Sequence, residues 1–152
     1  MGLLLLRIVP FGLLAAHGAQ KLFGWFGGPG LAGTTETFRQ MGYEPAEFFA
    51  LLGGASELTA GVLLMLGLAT PLAAAMALGV MLNAAIAVSG AGLAVMGYPT
   101  VLGVIAVTLA VTGPGRYSLD NGRRWLHPGP TWAAASIGVG VVAAALALLG
   151  KG

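Results

Sequence analysis

The sequence predicts an all-α protein, a bundle of transmembrane helices, on three observations. Of its 152 residues, 57% are hydrophobic and only 8% are charged, and the mean hydropathy is +0.90. A water-soluble domain of this size needs about 25% charged residues to cover its surface. The apolar residues also fall into separate stretches near the ~20 residues that cross a bilayer as a helix. The chain is therefore an integral membrane protein with little mass outside the lipid, which excludes a large catalytic head.

The first spanning helix is predicted over residues 3–22, with Arg7 near its start and His17, Gln20 and Lys21 near its end. A cleavable signal peptide is the competing interpretation. No cation precedes the apolar run and Arg7 interrupts it, so we expect the helix to be retained.

Residues 23–30 (FGWFGGPG) are typical of an irregular turn in the aromatic belt at a membrane surface. Residues 31–41 then predict a short amphipathic helix that lies in the interface. The second and third spanning helices, 47–68 and 71–90, are joined by so short a turn at Thr70-Pro71 that they must pack antiparallel.

A glycine-rich loop is predicted over 90–99, followed by a fourth spanning helix over 99–112. That helix is short for a full crossing, so we expect Tyr98 or residues just before it to extend it. The only long polar segment, 113–130, comes next, and a fifth apolar run of spanning length covers 131–149.

The distribution of cations gives the expected orientation. With five crossings, the amino-terminal side carries four of the seven cations, namely Arg7, Arg116, Arg123 and Arg124. The opposite side carries Lys21, Arg39 and Lys151. The positive-inside rule then places the amino terminus in the cytoplasm and the carboxyl terminus outside, with the protein in the inner (cytoplasmic) membrane of a bacterium.

Composition also excludes several chemistries. The chain has no cysteine, which excludes disulfides, iron–sulfur clusters and thiolate metal sites, so any redox role needs a borrowed cofactor. Haem is not expected, because the two histidines, His17 and His127, fall on opposite sides of the membrane. The net charge of +2 comes from scattered cations with no basic run, so nucleic acid is not an expected partner. No set of residues predicts a metal site or a nucleophile beside its base, and we expect no catalysis by the chain alone.

Glu57 lies in the middle of an apolar run, where a carboxylate is costly unless it is paired, protonated or beside water. Gly53 and Gly61 share its helical face, so Glu57 is expected to face the bundle. On the third helix, Asn83 lies roughly 18 Å from the Thr70 turn and Glu57 roughly 16 Å, which predicts a Glu57–Asn83 hydrogen bond. This pair either locks the helices in register, the preferred interpretation, or provides a proton or ligand site.

His17 and Lys21 lie four residues apart near the end of the first helix, with Gln20 adjacent and Trp25 in the next turn. This cluster can hydrogen-bond a quinone carbonyl or an anion, and it forms one ligand site with Glu57 if all converge on one cavity. Alternatively, Lys21 extends to the interface while His17 satisfies a backbone carbonyl of a neighbouring helix.

Arg7 and Asp120 fall at the same end of the bundle, and an ion pair between them would tie the first helix to the loop after the fourth. The alternative is that Arg7, only about 6 Å inside its helix, extends to lipid headgroups. Arg116, Arg123 and Arg124 are expected to set the topology and to touch anionic lipid.

Several short motifs, in order along residues 3–120, resemble the DoxX family of small membrane proteins. They are HGxxKLFG at 17–24, FGGxG at 26–30, ELxxG at 57–61, GLxTP at 67–71 and GPGRYSLD at 113–120, together with Arg7, Phe38 and MG at 41–42. The resemblance implies a four-helix membrane domain over 1–120 and an association with quinone-linked or oxidative-stress redox systems. Residues 121–152 then add a loop and a fifth helix, which suggests a further contact with a partner.

The chain departs from the DoxX pattern at 96–99 (MGYP), where an acidic residue usually accompanies the Tyr-Pro pair. Acid-dependent chemistry is therefore not expected there. The favoured function is an integral membrane subunit or anchor of a quinone-linked redox complex, in contact with lipids, other membrane subunits or a peripheral redox enzyme, and lining a quinone or lipid pocket. A purely structural subunit is the alternative. A small-solute or proton pathway through Glu57 ranks last, because internal repeats and broken helices are lacking.

Overall fold

The computed structural model describes residues 1–122 and 129–152, and within them the chain is built from α-helices joined by short connections. The helices are α1 (Gly2–Phe23), α2 (Gly30–Gln40), α3 (Ala46–Leu66), α4 (Thr70–Ala87), α5 (Leu93–Thr112) and α6 (Pro130–Leu149). All except α2 are long and apolar enough to cross a membrane, which gives five candidate spans among the described residues. The predicted transmembrane bundle is confirmed. Arg123, Arg124 and His127 lie outside the described residues.

Helices that follow one another across the bundle are antiparallel, whereas α4 and α6 are neighbours that run in the same direction. Helix α1 packs along α3, α3 packs against α4, and α4 packs against both α5 and α6. The core between them consists of a few large side chains, among them Phe11, Leu14, Leu64 and Leu109, and many alanines of α4 and α5. Helix α2 is too short and too polar to span, and it packs on α3 and α1 beside the end of α1. It corresponds to the predicted interfacial helix.

Glycines allow the closest approach in the bundle, between α1 and α3. A Cβ placed on Gly18 would lie 2.7 Å from the carbonyl oxygen of Gly54, and one on Gly61 would lie 2.7 Å from that of Phe11. Both distances are far below van der Waals contact, so only glycine fits at these crossings. In membranes, where apolar burial does not drive helix association, such close packing is a main source of stability.

Two ends of the bundle follow from this topology. The Arg7 end contains the start of α1, the α3–α4 turn and the segment after α5. There the carboxylate of Asp120 accepts hydrogen bonds from the backbone N–H groups of Ala69 (2.9 Å) and Thr70 (2.8 Å) and from the Thr70 hydroxyl (2.9 Å). Asp120 therefore caps the amino terminus of α4 from a distant part of the chain.

The Lys21 end contains the end of α1, helix α2, the α4–α5 connection and the last residues of the chain. The N–H of Glu44 donates to the carbonyl of Gly150 (2.9 Å), and the N–H of Gly152 donates to that of Gly42 (2.9 Å). These bonds fasten the end of α6 to the connection between α2 and α3.

The predicted loop over 90–99 is wrong in its extent. Helix α5 begins at Leu93, and Pro99 is buried inside it. A proline removes one backbone hydrogen bond, but neighbouring helices let a membrane helix tolerate that loss, and starting at Leu93 gives α5 the length that a crossing requires. The expected extension before Tyr98 is thereby confirmed.

Candidate functional site

A cavity of about 440 Å³ lies near the Lys21 end, between α2, α3, α4 and α6. Most of its wall is hydrophobic, formed by side chains such as Phe38, Leu52 and Met76. Its polar lining residues include Lys21, Thr34, Tyr43, Ser56, Glu57 and Asn83. The cavity is therefore an apolar chamber with a small number of hydrogen-bonding groups in its wall.

Lys21 and Glu57 form an ion pair in this wall. The Nζ of Lys21 lies 2.5 Å from Oε1 of Glu57, whose side chain is only 3% exposed. Oε2 of Glu57 is buried and has no hydrogen-bond partner among the described residues. Gly54, one turn before Glu57, makes the pairing possible, since a Cβ there would lie 2.8 Å from Leu22 Cδ2 and 3.4 Å from Lys21 Cβ. The same close approach of α1 and α3 thus positions the cation over the carboxylate.

Tyr43 and Asn83 form a second set of hydrogen-bonded side chains in the cavity wall. The Tyr43 hydroxyl donates to Oδ1 of Asn83 (3.4 Å), and Nδ2 of Asn83 donates to the carbonyls of Gly79 and Ala144 (3.2 Å each). Tyr43 lies in the α2–α3 connection, and burial raises the pKa of its phenol. The hydroxyl therefore keeps its proton and remains a donor at neutral pH.

The predicted Glu57–Asn83 hydrogen bond is wrong. Both residues line the same cavity, but each has other hydrogen-bond partners. Asn83 lies on the face of α4 that packs against α6, where a Cβ on Gly79 would lie 3.1 Å from the Gly140 carbonyl oxygen. Depth along two helices does not determine the direction in which their side chains point, and α6 occupies the side that Asn83 faces.

The other residues of the predicted ligand cluster lie outside the cavity wall. His17 is exposed and packs against Tyr98 of α5, with ring centroids 5.0 Å apart. Gln20 donates a long hydrogen bond (3.5 Å) to the Phe26 carbonyl, and Trp25 is 59% exposed. Positions four residues apart on a helix differ in direction by about 40°, and here His17 contacts Tyr98 of α5 whereas Lys21 contacts Glu57 of α3. The structure joins Lys21 to Glu57 in the cavity wall, and His17 is not part of that wall.

A family model described as DoxX matches residues 2–90, which is more than half of the chain. The chain belongs to the DoxX family. The matched range includes α1 to α4 and so contains Lys21, Tyr43, Glu57 and Asn83, whereas α5 and α6 follow it. No curated protein and no solved structure matches the chain. Membership and the five apolar helices make this a small multi-pass membrane protein.

At the other end of the DoxX protein, the predicted Arg7–Asp120 ion pair is wrong as a direct contact. The ion pairs among the described residues are Lys21–Glu57 and Glu36–Arg39. Arg7 is only 1% exposed, which also contradicts an extension to the headgroups, and its Nη2 donates to the carbonyl of Tyr117. The expected link between α1 and the segment after α5 exists, but Arg7 makes it through a backbone carbonyl. The carboxylate of Asp120 already accepts hydrogen bonds from the start of α4.

Tyr43 is a polar cavity residue that was not predicted from the sequence. It follows the interfacial helix directly, in the sequence MGYEP, and tyrosine near a membrane surface commonly has one polar and one apolar side. That signal would have placed Tyr43 at the interface, though not at Asn83. Together the cavity of this DoxX protein contains an ammonium donor, a phenol hydroxyl and a carboxylate oxygen in an otherwise apolar wall.

Proposed function

We propose that this DoxX protein is a non-catalytic membrane subunit of a quinone-linked redox complex, and that the cavity at the Lys21 end holds the quinone ring. The observation that supports it is the combination of an apolar chamber of about 440 Å³ with a Lys21–Glu57 pair in its wall. Small-molecule sites are commonly ~300–1,000 Å³, mostly apolar, with a few polar groups that orient the ligand.

A quinone presents two carbonyl acceptors on a flat apolar ring, and it carries electrons between the enzymes of a membrane. Lys21 is the donor in the wall that would bind one such carbonyl, and the Tyr43 hydroxyl would bind the other by exchanging its long bond to Asn83 for the ligand. Phe38, Leu52 and Met76 would contact the ring and its tail. Charge-assisted hydrogen bonds are roughly twice as strong as neutral ones, so Lys21 is expected to contribute most of the polar binding energy.

Quinone binding is predicted to depend on the ion pair and not on His17. Replacing both Lys21→Met and Glu57→Leu should weaken binding of decylubiquinone by about tenfold or more, the effect of losing a hydrogen bond to a charged group. The control His17→Leu should bind like the wild type, because His17 lies outside the cavity wall. Equilibrium dialysis of the detergent-purified proteins measures both. If His17→Leu abolishes binding while the double variant retains it, the ligand site is at α1 and α5 instead.

Membership of a redox complex is tested by purification from native membranes in mild detergent. We expect a stable partner that carries flavin or haem, because the chain offers no redox-active cysteine of its own. Recovery of a stable assembly without any redox-active subunit would favour the alternative of a purely structural subunit.

The outer face of α6 offers such partners or lipid an apolar surface, since Val139, Val142 and Leu146 are each more than half exposed.

The proposed orientation places the Arg7 end in the cytoplasm and the Lys21 end outside. The chain lacks cysteine, so a single introduced thiol reports its side without background. Leu119→Cys and Gln40→Cys replace exposed residues at the two ends. A membrane-impermeant maleimide added to intact cells should label the Gln40 variant and leave the Leu119 variant unlabelled until the cells are opened. The reverse pattern would contradict the orientation.

A further inference from the structure

A second pocket, of about 350 Å³, opens at the Arg7 end, and the proposed function does not use it. Its wall is formed by the first two turns of α1 and by residues 114–117 after α5. Arg7 is five residues into α1, which corresponds to about 7.5 Å from the helix end. The pocket therefore lies at the level where a bilayer changes from hydrocarbon to headgroups.

The floor of this pocket contains an incompletely satisfied cation. Arg7 is 1% exposed, and its Nη2 donates to the Tyr117 carbonyl, but Nε and Nη1 are buried without a hydrogen-bond partner among the described residues. A neutral carbonyl does not balance a buried positive charge, and leaving the N–H donors of a buried cation without acceptors is costly. The site therefore carries a positive charge, and two of its nitrogen atoms lack an acceptor among the described residues.

Asp120 is the acidic residue that interacts electrostatically with Arg7, but its carboxylate already accepts hydrogen bonds from other groups. Its oxygens accept three hydrogen bonds from the start of α4. No acidic side chain lines the pocket among the described residues, whereas a second cation, Arg116, does. The Arg116 guanidinium lies over the Tyr117 ring, 5.1 Å from its centroid, which holds it beside the pocket.

We propose that this pocket binds a phosphate group between the guanidinium groups of Arg7 and Arg116. Guanidinium groups match the oxygens of phosphate in geometry and charge, and the anion would compensate the buried Arg7. At this depth the abundant phosphate is that of a phospholipid headgroup, and free phosphate has the same chemistry. Leu3 and Leu4 add apolar contacts on the α1 side of the pocket.

The test uses the full chain, delipidated in detergent, with two probes: phosphatidylglycerol, followed by native mass spectrometry, and inorganic phosphate, followed by ³¹P line broadening. We expect saturable binding of one phosphate-bearing ligand. Arg116→Gln should weaken it about tenfold, the effect of losing one charge-assisted hydrogen bond. Arg39→Gln is the matched control, because it removes an exposed arginine at the other end of the bundle.

Arg7→Gln removes the Tyr117 bond and can unfold this end, so Arg7→Lys, which keeps the charge without the planar fork, provides the second variant. It should also bind more weakly than the wild type. Binding of phosphatidylglycerol alone identifies a lipid site, and comparable binding of inorganic phosphate identifies a free-anion site. If Arg116→Gln and Arg7→Lys bind both probes as tightly as Arg39→Gln does, the proposal is wrong.

Discussion

Replacing Lys21 by methionine is expected to lower the free energy of unfolding by about 3–5 kcal/mol. The substitution leaves the Glu57 carboxylate, only 3% exposed, without the cation that neutralises it. Removing one partner of a buried pair is costly because the remaining charge stays desolvated. Denaturant unfolding in detergent, followed by far-ultraviolet circular dichroism, measures the loss.

The double variant Lys21→Met, Glu57→Leu separates charge from packing. Replacing a whole buried ion pair by apolar side chains is often neutral or stabilising, so the double variant should regain most of the lost stability. Lys151→Met removes a cation that is exposed at the same end and should change stability little. If Lys21→Met alone unfolds like the wild type, the ion pair does not stabilise the bundle.

Replacing Gly18 by alanine is expected to destabilise the bundle by about 1–3 kcal/mol or more, through overpacking. The new methyl group would lie 2.7 Å from the Gly54 carbonyl oxygen and 2.8 Å from Leu58 Cα, both atoms of the α3 helix backbone. A helix backbone cannot move aside as a flexible side chain can, so α1 must shift away from α3. The same unfolding measurement reports the loss.

Gly12→Ala is the matched control on the same helix. Its Cβ would meet only the Sδ of Met65, at an ordinary 3.6 Å, so we expect no overpacking penalty. Alanine also has the higher helix propensity, by ~1 kcal/mol, so this variant should be at least as stable as the wild type. Equal losses of stability for the two substitutions would show that the added methyl group destabilises helix α1 itself and not its contact with α3.

The two predictions are connected through the α1–α3 contact. Gly18 and Gly54 bring these helices together, and Lys21 reaches Glu57 across the same contact. We therefore expect Gly18→Ala to weaken quinone binding as well as stability, whereas the Lys21 and Glu57 double variant should lose binding while it keeps most of its stability. The comparison distinguishes damage to the fold from damage to the site.

Sequence alone determined the class of the protein and the number and approximate extent of its spans. Hydropathy, the run of about 20 apolar residues and the FGWFGGPG turn are properties of consecutive residues, and they act in the same way whatever the neighbouring helices are. The burial of Glu57 also followed from sequence, since an intramembrane carboxylate must avoid lipid. Counting residues from one turn also predicted that Asn83 and Glu57 lie near each other, and both line the same cavity.

Only the tertiary structure decided which partner each polar group has. Glu57 pairs with Lys21 because α1 and α3 meet at glycines, and Asn83 binds the Ala144 carbonyl because α6 packs on its face of α4. Arg7 binds the Tyr117 carbonyl because the start of α4 occupies Asp120. These choices depend on the rotation of each helix about its axis and on which helix lies beside it. Periodicity and composition do not contain that information, because packing between segments distant in the chain sets both.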